Sequence, residues 1–192
     1  MLASVILLQM PSTFCTTVFA GDNSPCNLIS FPNKFTALED KEIQSGDLLV
    51  NEDGVNEFKG YTKTIYGKSE QPLPRHAIYH LGQRVVAYKA TATSDVLSQK
   101  ISVSGAEFHS AILFLIQMIK EIKGLAFKDF TKNELVALEA FAIQMEKLQE
   151  GEHTGITIKT DLRVVALRSQ DTIEIEFLPL KTFLALKRAG LR

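Results

Sequence analysis

Cysteine is scarce in this 192-residue chain, with Cys15 and Cys26 the only two. A disulfide framework normally needs more, and a 15–26 bridge would staple the N-terminus alone. Two free thiols in a reducing compartment are the expectation. Net charge is nearly absent as well, at −1 with histidine neutral. No global field then draws the chain towards nucleic acid or an acidic membrane, so a polyanionic partner must be held by local charge. Long apolar runs are missing. Residues 112–119 fall well short of the about 20 residues that span a bilayer and read as a buried helix, so no membrane partner is expected. Catalytic signatures are missing too: there is no Gly-rich phosphate loop, no nucleophile elbow and no His/Asp/Ser constellation. A non-enzymatic protein without cofactor or metal is the expectation.

What is present is a globular composition. Hydrophobic residues make up 45% of the chain and charged residues 22%. That supplies one sizeable core, or one domain with a short extension. Residues 1–21 carry no charged side chain, and residues 3–10 form a short apolar run. With Val18-Phe19-Ala20 as a small-residue cleavage site, this resembles a secretory signal peptide. No Lys or Arg precedes the run and Pro11 interrupts it, which favours an N-terminal arm packed on the body, or Met10 as the true start. A cytoplasmic or nucleoid-associated location follows from the second reading, and secretion from cleavage of residues 1–20. Residues 1–57 read as this arm, punctuated by Pro25, Pro32, Gly46 and Gly54, with one short strand at 47–50.

Residues 58–192 read as an α+β domain. Strands are expected at 61–66, 77–80, 84–90 and 100–103. Ser104 and Glu107 have the spacing of a capping box, which predicts a helix from there to Lys123 and a stop at Gly124. Thr131 and Glu134 repeat that spacing and predict a second helix, over 131–149. Strands follow at 156–159, 163–168 and 173–177, where Ile173, Ile175 and Phe177 alternate with Glu174 and Glu176. Pro179 suits the first turn of a last helix. Arg84-Val85-Val86-Ala87 recurs as Arg163-Val164-Val165-Ala166, each copy after a short strand and turn and before an alternating strand that enters a helix. The expected architecture is therefore antiparallel sheet with amphipathic helices on one face. Two strand–strand–strand–helix units, at about 58–124 and 151–192, are joined by the 131–149 helix.

The stretch Lys100-Ile101-Ser102-Val103-Ser104-Gly105-Ala106-Glu107-Phe108 resembles the last strand and helix start of the positive-cofactor-four and Whirly type of single-strand-binding transcription proteins. There, an alternating strand ends in a capped turn and an amphipathic helix, and units of four strands and a helix pair in a dimer or within one chain. The resemblance implies single-stranded nucleic-acid binding. The second unit departs from it, with three strands and Pro179-Leu180-Lys181 in place of the acidic–aromatic pair.

Local charge agrees with that implication. Lys59, Lys63, Lys68, Arg75, Arg84, Lys89 and Lys100 face only Glu70 and Asp95, and all four tyrosines, Tyr61, Tyr66, Tyr79 and Tyr88, lie among them. Cations neutralise phosphates and aromatic rings stack on bases, worth about 1–3 kcal/mol per base. The candidate binding residues are Lys63, Arg84, Lys89 and Lys100, with Tyr61, Tyr66, Tyr79 and Tyr88, and the partner single-stranded DNA or RNA. The competing reading is a sheet whose tyrosines pack and whose lysines are solvated. His76 and His80 are four apart, a metal spacing on a helix, but lie roughly 13 Å apart on a strand. Glu174 and Glu176 read as the charged face of a half-buried strand, and Lys181, Lys187, Arg188 and Arg192 as cations suited to a helix C-terminus. Residues 111–119 are apolar on several sides, which predicts a homo-oligomer or larger assembly paired through this helix. The second functional reading is a protein-interaction or assembly subunit that binds no nucleic acid.

Overall fold

The computed structural model describes residues 35–45, 48–50, 56–58, 62–66, 75–81, 84–103 and 106–190. In chain order the elements are α1 (Asp40–Ser45), β1 (Leu48–Val50), β2 (Asn56–Phe58), β3 (Thr62–Tyr66), β4 (Arg75–Leu81), β5 (Arg84–Thr93), α2 (Ser94–Ser98), β6 (Lys100–Val103), β7 (Ala106–His109), α3 (Ser110–Lys123), a 3-10 turn (Phe127–Asp129), α4 (Lys132–Lys147), β8 (His153–Ile158), β9 (Leu162–Ser169), β10 (Thr172–Pro179) and α5 (Leu180–Arg188). The α+β class is as expected. No helix among the described residues is long and apolar enough to cross a membrane.

Period-two patterning builds the main sheet, an antiparallel array in the order β3-β4-β5-β10-β9-β8. Cross-strand register places Ile175 between Ala90 and Ala166, and Phe177 between Tyr88 and Val164. These side chains share one face, and all are buried. Fully burying each large one is worth about 1.5–3 kcal/mol. α4 covers the β8 end of this face, where Thr154 donates to Gln144 at 2.9 Å. α2 lies at the other end of β9, where the Arg168 guanidinium donates to Ser94.

The opposite face is covered as well, which differs from the one-sided arrangement expected. Leu178 points away from Phe177 and joins Tyr79, Ala77, Ala87, Ala185, Leu186, Leu38 and Ile43 in a second cluster. α5 and α1 supply its outer layer. The chain before α1 is tied in through Leu38 N–H, which donates to the buried Thr182 hydroxyl at 2.9 Å. Phe35 forms a parallel bridge with Val85. Leu38 and Ile43 fall within the expected N-terminal arm, yet they are core residues.

Three further expectations are corrected. First, residues 106–109 do not begin a helix. They form β7, which pairs with β6 as a hairpin outside the main sheet, and α3 starts at Ser110. Glu107 lies opposite Ser102 on that hairpin and not in the first turn of a helix, so the described part of the stretch that carries the family resemblance is strand, and Ser104 lies outside the described residues. Second, residues 100–103 are not the counterpart of β10, because the strand that pairs with β10 is β5. The two Arg-Val-Val-Ala words occupy unlike places: residues 84–87 open β5 at the sheet centre, and residues 163–166 lie one strand further out in β9. Third, α3 does not offer apolar faces to a second subunit. Ala111, Leu115 and Ile119 are 0% exposed, and Ile112, Leu113, Phe114, Ile116, Met118 and Ile122 are all at or below 9%. Its apolar sides are consumed within the chain.

The Thr131–Glu134 box forms as expected. Glu134 N–H donates to Thr131 Oγ1 at 3.2 Å, and Thr131 N–H donates to Glu134 Oε2 at 2.8 Å. Gly124 closes α3 in the left-handed conformation, φ 63°, which a residue without Cβ adopts at no steric cost.

Candidate binding surface

The tyrosine-bearing strands are β3, β4 and β5. Tyr61 lies outside the described residues. Lys63 and Tyr66 occupy β3, opposite Tyr79 and His76 of β4. Tyr79 and Tyr88 are both interior. Tyr88 is 0% exposed and packs against Phe177, ring centroids 5.6 Å apart. Burial pushes its phenol well above the usual tyrosine range. Tyr79 is 5% exposed and lies in the cluster under α5 and α1. Neither ring is open to a base, because both faces of the sheet are covered where these residues point. They are corrected from stacking residues to core residues.

Arg84, Lys89 and Lys100 are engaged as well. A bulge at Val86 decides where Arg84 points. Tyr79 opposes Ala87 while His80 opposes Val85, so Val86 is the extra residue. One extra residue flips the alternation, placing Arg84 on the same face as Ala87 and Lys89. There the guanidinium donates to Glu42 of α1. The Arg84 hydrogen bond, with the Glu39 backbone N–H, holds the Glu42 carboxyl below its usual range. Lys89 Nζ lies 2.6 Å from Glu174 Oε2, with side chains 14% and 17% exposed, and Glu176 is directly opposite Lys89 across β10. Glu174 is thus an internal counter-ion, not one half of a solvent-facing carboxylate pair. Lys100 sits on the separate β6–β7 hairpin, 3.8 Å from Glu107 in an exposed contact. Of the candidates whose side chains are described, Tyr79, Tyr88, Arg84, Lys89 and Lys100 do not converge on one surface, and the side chains of Lys63 and Tyr66 lie outside the described ones.

His76 and His80 lie on the same strand, β4. Among the described residues no three His, Cys, Asp or Glu side chains are grouped to hold a metal ion.

A different constellation, marked by no motif in the sequence, lies at the β8 end of the sheet. Arg163 of β9 stands opposite Thr157 of β8, and its Nη1 donates to Thr157 Oγ1 at 3.3 Å. The guanidinium then crosses Gly155. A Cβ there would sit 2.6 Å from Nη2 and 3.1 Å from the Val164 carbonyl, so the absence of a side chain is what admits the arginine. Phe183 of α5 covers the guanidinium, with Cζ 4.9 Å from the ring centroid. Arg163 Nε is buried without an acceptor, and among the described residues no carboxylate pairs with this cation. Desolvation shifts the guanidinium pKa downward, though an arginine stays charged. The signal in the sequence was a glycine inside the strand run Thr154-Gly155-Ile156, which marks a close approach.

No protein-family model, curated protein or solved structure matches this chain.

Proposed function

We propose that this chain works by binding another protein, as an assembly or adaptor subunit. The observation that carries the reading is the fate of the tyrosine-bearing strands. A single-stranded polyanion needs exposed rings for its bases and unneutralised cations for its phosphates. Tyr79 and Tyr88 are core residues, Arg84 is matched by Glu42, and Lys89 is matched by Glu174. The near-neutral net charge fits the same reading. So does surface apolar area on α4, where Val136 is 56% and Ile143 38% exposed.

Fluorescence anisotropy of a labelled oligothymidylate, titrated with the full chain at low salt, tests the choice. The expected result is no saturable binding. Saturable binding that weakens with salt, exceeds binding to duplex and is lost on Lys63→Glu would return the reading to single-stranded nucleic acid.

A further inference from the structure

We propose that the edge of β8, with which no further described strand pairs, receives an extended, acidic segment of a partner protein, which continues the sheet and sets a carboxylate against Arg163. This rests on the protein-interaction reading and names its surface and its partner chemistry.

The edge itself is the first observation. Sheets commonly blunt their edge strands with lysine, proline, a bulge or a covering element. Positions 153–158 read His-Thr-Gly-Ile-Thr-Ile, with no lysine, proline or carboxylate. Pairing with β9 is regular from His153 opposite Leu167 to Ile158 opposite Leu162, without a bulge. Among the described residues no strand pairs beyond β8. An antiparallel edge strand leaves alternate N–H and C=O groups pointing outward, and these are what an added strand bonds to. β3, at the far end of the sheet, carries Lys63 at its centre.

Arg163 is the second observation. Its guanidinium lies over Gly155, on the edge strand itself. The Phe183 ring and the Thr157 hydroxyl fix its position, so little side-chain freedom remains to be lost on binding. Burial has removed part of its hydration, and among the described residues no counter-ion is supplied and Nε lacks an acceptor. A carboxylate is the group whose geometry matches an arginine fork. The edge then selects among carriers of negative charge. Only a peptide also offers the backbone donors and acceptors that β8 requires, so the occupant is an acidic strand and not a nucleic acid.

A phage-displayed library of random linear peptides, panned on the full chain and on Arg163→Gln, tests this. Arg163→Lys keeps the charge without the fork, and circular dichroism checks that each variant is folded. Peptides enriched on the native chain should alternate β-branched or aromatic residues and carry Asp or Glu at one fixed position. Arg163→Gln should weaken each by about 10- to 100-fold, as expected for losing hydrogen bonds to a charged group. Replacing the peptide carboxylate by its amide should cost the same on the native chain and little on Arg163→Gln. Strand-type peptides without an acidic preference, or bound equally by Arg163→Gln, would overturn the proposal. Helix-patterned peptides whose binding is lost on Val136→Asp would overturn it while leaving the protein-interaction reading intact. No enrichment on the native chain would overturn both. Self-association in sedimentation velocity that Thr157→Pro abolishes would name a second copy as the occupant, and so overturn the acidic-peptide proposal too.

Discussion

Replacing Glu134 by glutamine tests how the α4 N-terminus is held. Glu134 Oε2 accepts from the Thr131 backbone N–H and lies 2.8 Å from Lys159 Nζ. Lys159 also donates to the Asp129 carbonyl and sits 5.0 Å from the Phe130 ring centroid. The network therefore ties the β8–β9 turn to the start of α4. Burial pushes the Glu134 carboxyl pKa upward, but hydrogen bonds from Lys159 and Thr131 and the charge of Lys159 outweigh it, and the pKa falls from the ordinary 4.5 to about 2. The group is more acidic folded than unfolded. Its contribution is complete above about pH 4.5 and fades as the pH falls towards 2. At roughly 1.4 kcal/mol per unit the full shift would be worth about 3 kcal/mol. The side chain is 20% exposed, so solvent screening reduces this, and about 1–2 kcal/mol is expected. Glutamine still satisfies a capping box, so Glu134→Gln isolates the charge. Urea unfolding of both proteins from neutral pH to pH 2 should give a difference of that size at pH 7, shrinking to near zero at the acid end. A difference that does not change with pH would refute the reasoning. So would a Lys159→Met cycle at pH 7 in which the two substitutions are additive.

Other substitutions probe other links. Lys89→Met leaves the mostly buried Glu174 carboxylate without its partner and is expected to cost about 3–5 kcal/mol in urea unfolding. Adding Glu174→Leu should bring stability back to within about 1–2 kcal/mol of the native chain. Thr160 holds φ 61°, a conformation that strains a β-branched residue. Thr160→Asn should therefore gain about 1 kcal/mol and raise Tm by roughly 2–4 °C in calorimetry. Gly155→Ala places a Cβ 2.6 Å from Arg163 Nη2 and should cost about 1–3 kcal/mol. Arg163→Gln should recover part of that loss, but not the part due to the Val164 carbonyl.

Local chemistry was legible in the sequence, and partners distant along the chain were not. Ile173, Ile175 and Phe177 announce a half-buried strand because alternation is a property of neighbours, and β10 has that pattern. Ser104–Glu107 and Thr131–Glu134 share one spacing, yet Glu134 completes a cap while Glu107 lies on a strand. What separates them is tertiary: Ala106–His109 pairs with Lys100–Val103, and hairpin pairing replaces the helical turn that the box would have started. The Arg-Val-Val-Ala words occupy unlike places in the sheet for a related reason. Four residues specify a strand, but not which neighbours it has in the sheet.

Tyr79, Tyr88, Arg84 and Lys89 do not share an open face for a reason that lies in the sheet itself. Basic and aromatic residues on neighbouring strands mark a polyanion site only if one face is open. Here α5 and α1 cover the face of Tyr79, and Tyr88 points to the other core against Phe177. Their counter-charges come from afar. Glu42 reaches Arg84 from α1, and Glu174 reaches Lys89 from a strand on the far side of α3 and α4 in the chain. The bulge at Val86 decides the first pairing, because without that extra residue Arg84 and Lys89 would point to opposite faces. Arg84 and Lys89 of the basic stretch were thus matched by carboxylates once the chain closed. Arg163 took the opposite course. It looked like one member of a repeated word, and it is held over Gly155 and under Phe183, at the β8 edge of the sheet, with no carboxylate among the described residues to neutralise it. Charge that is matched inside the fold stabilises it, and charge fixed in place without a match is what remains to recognise a partner.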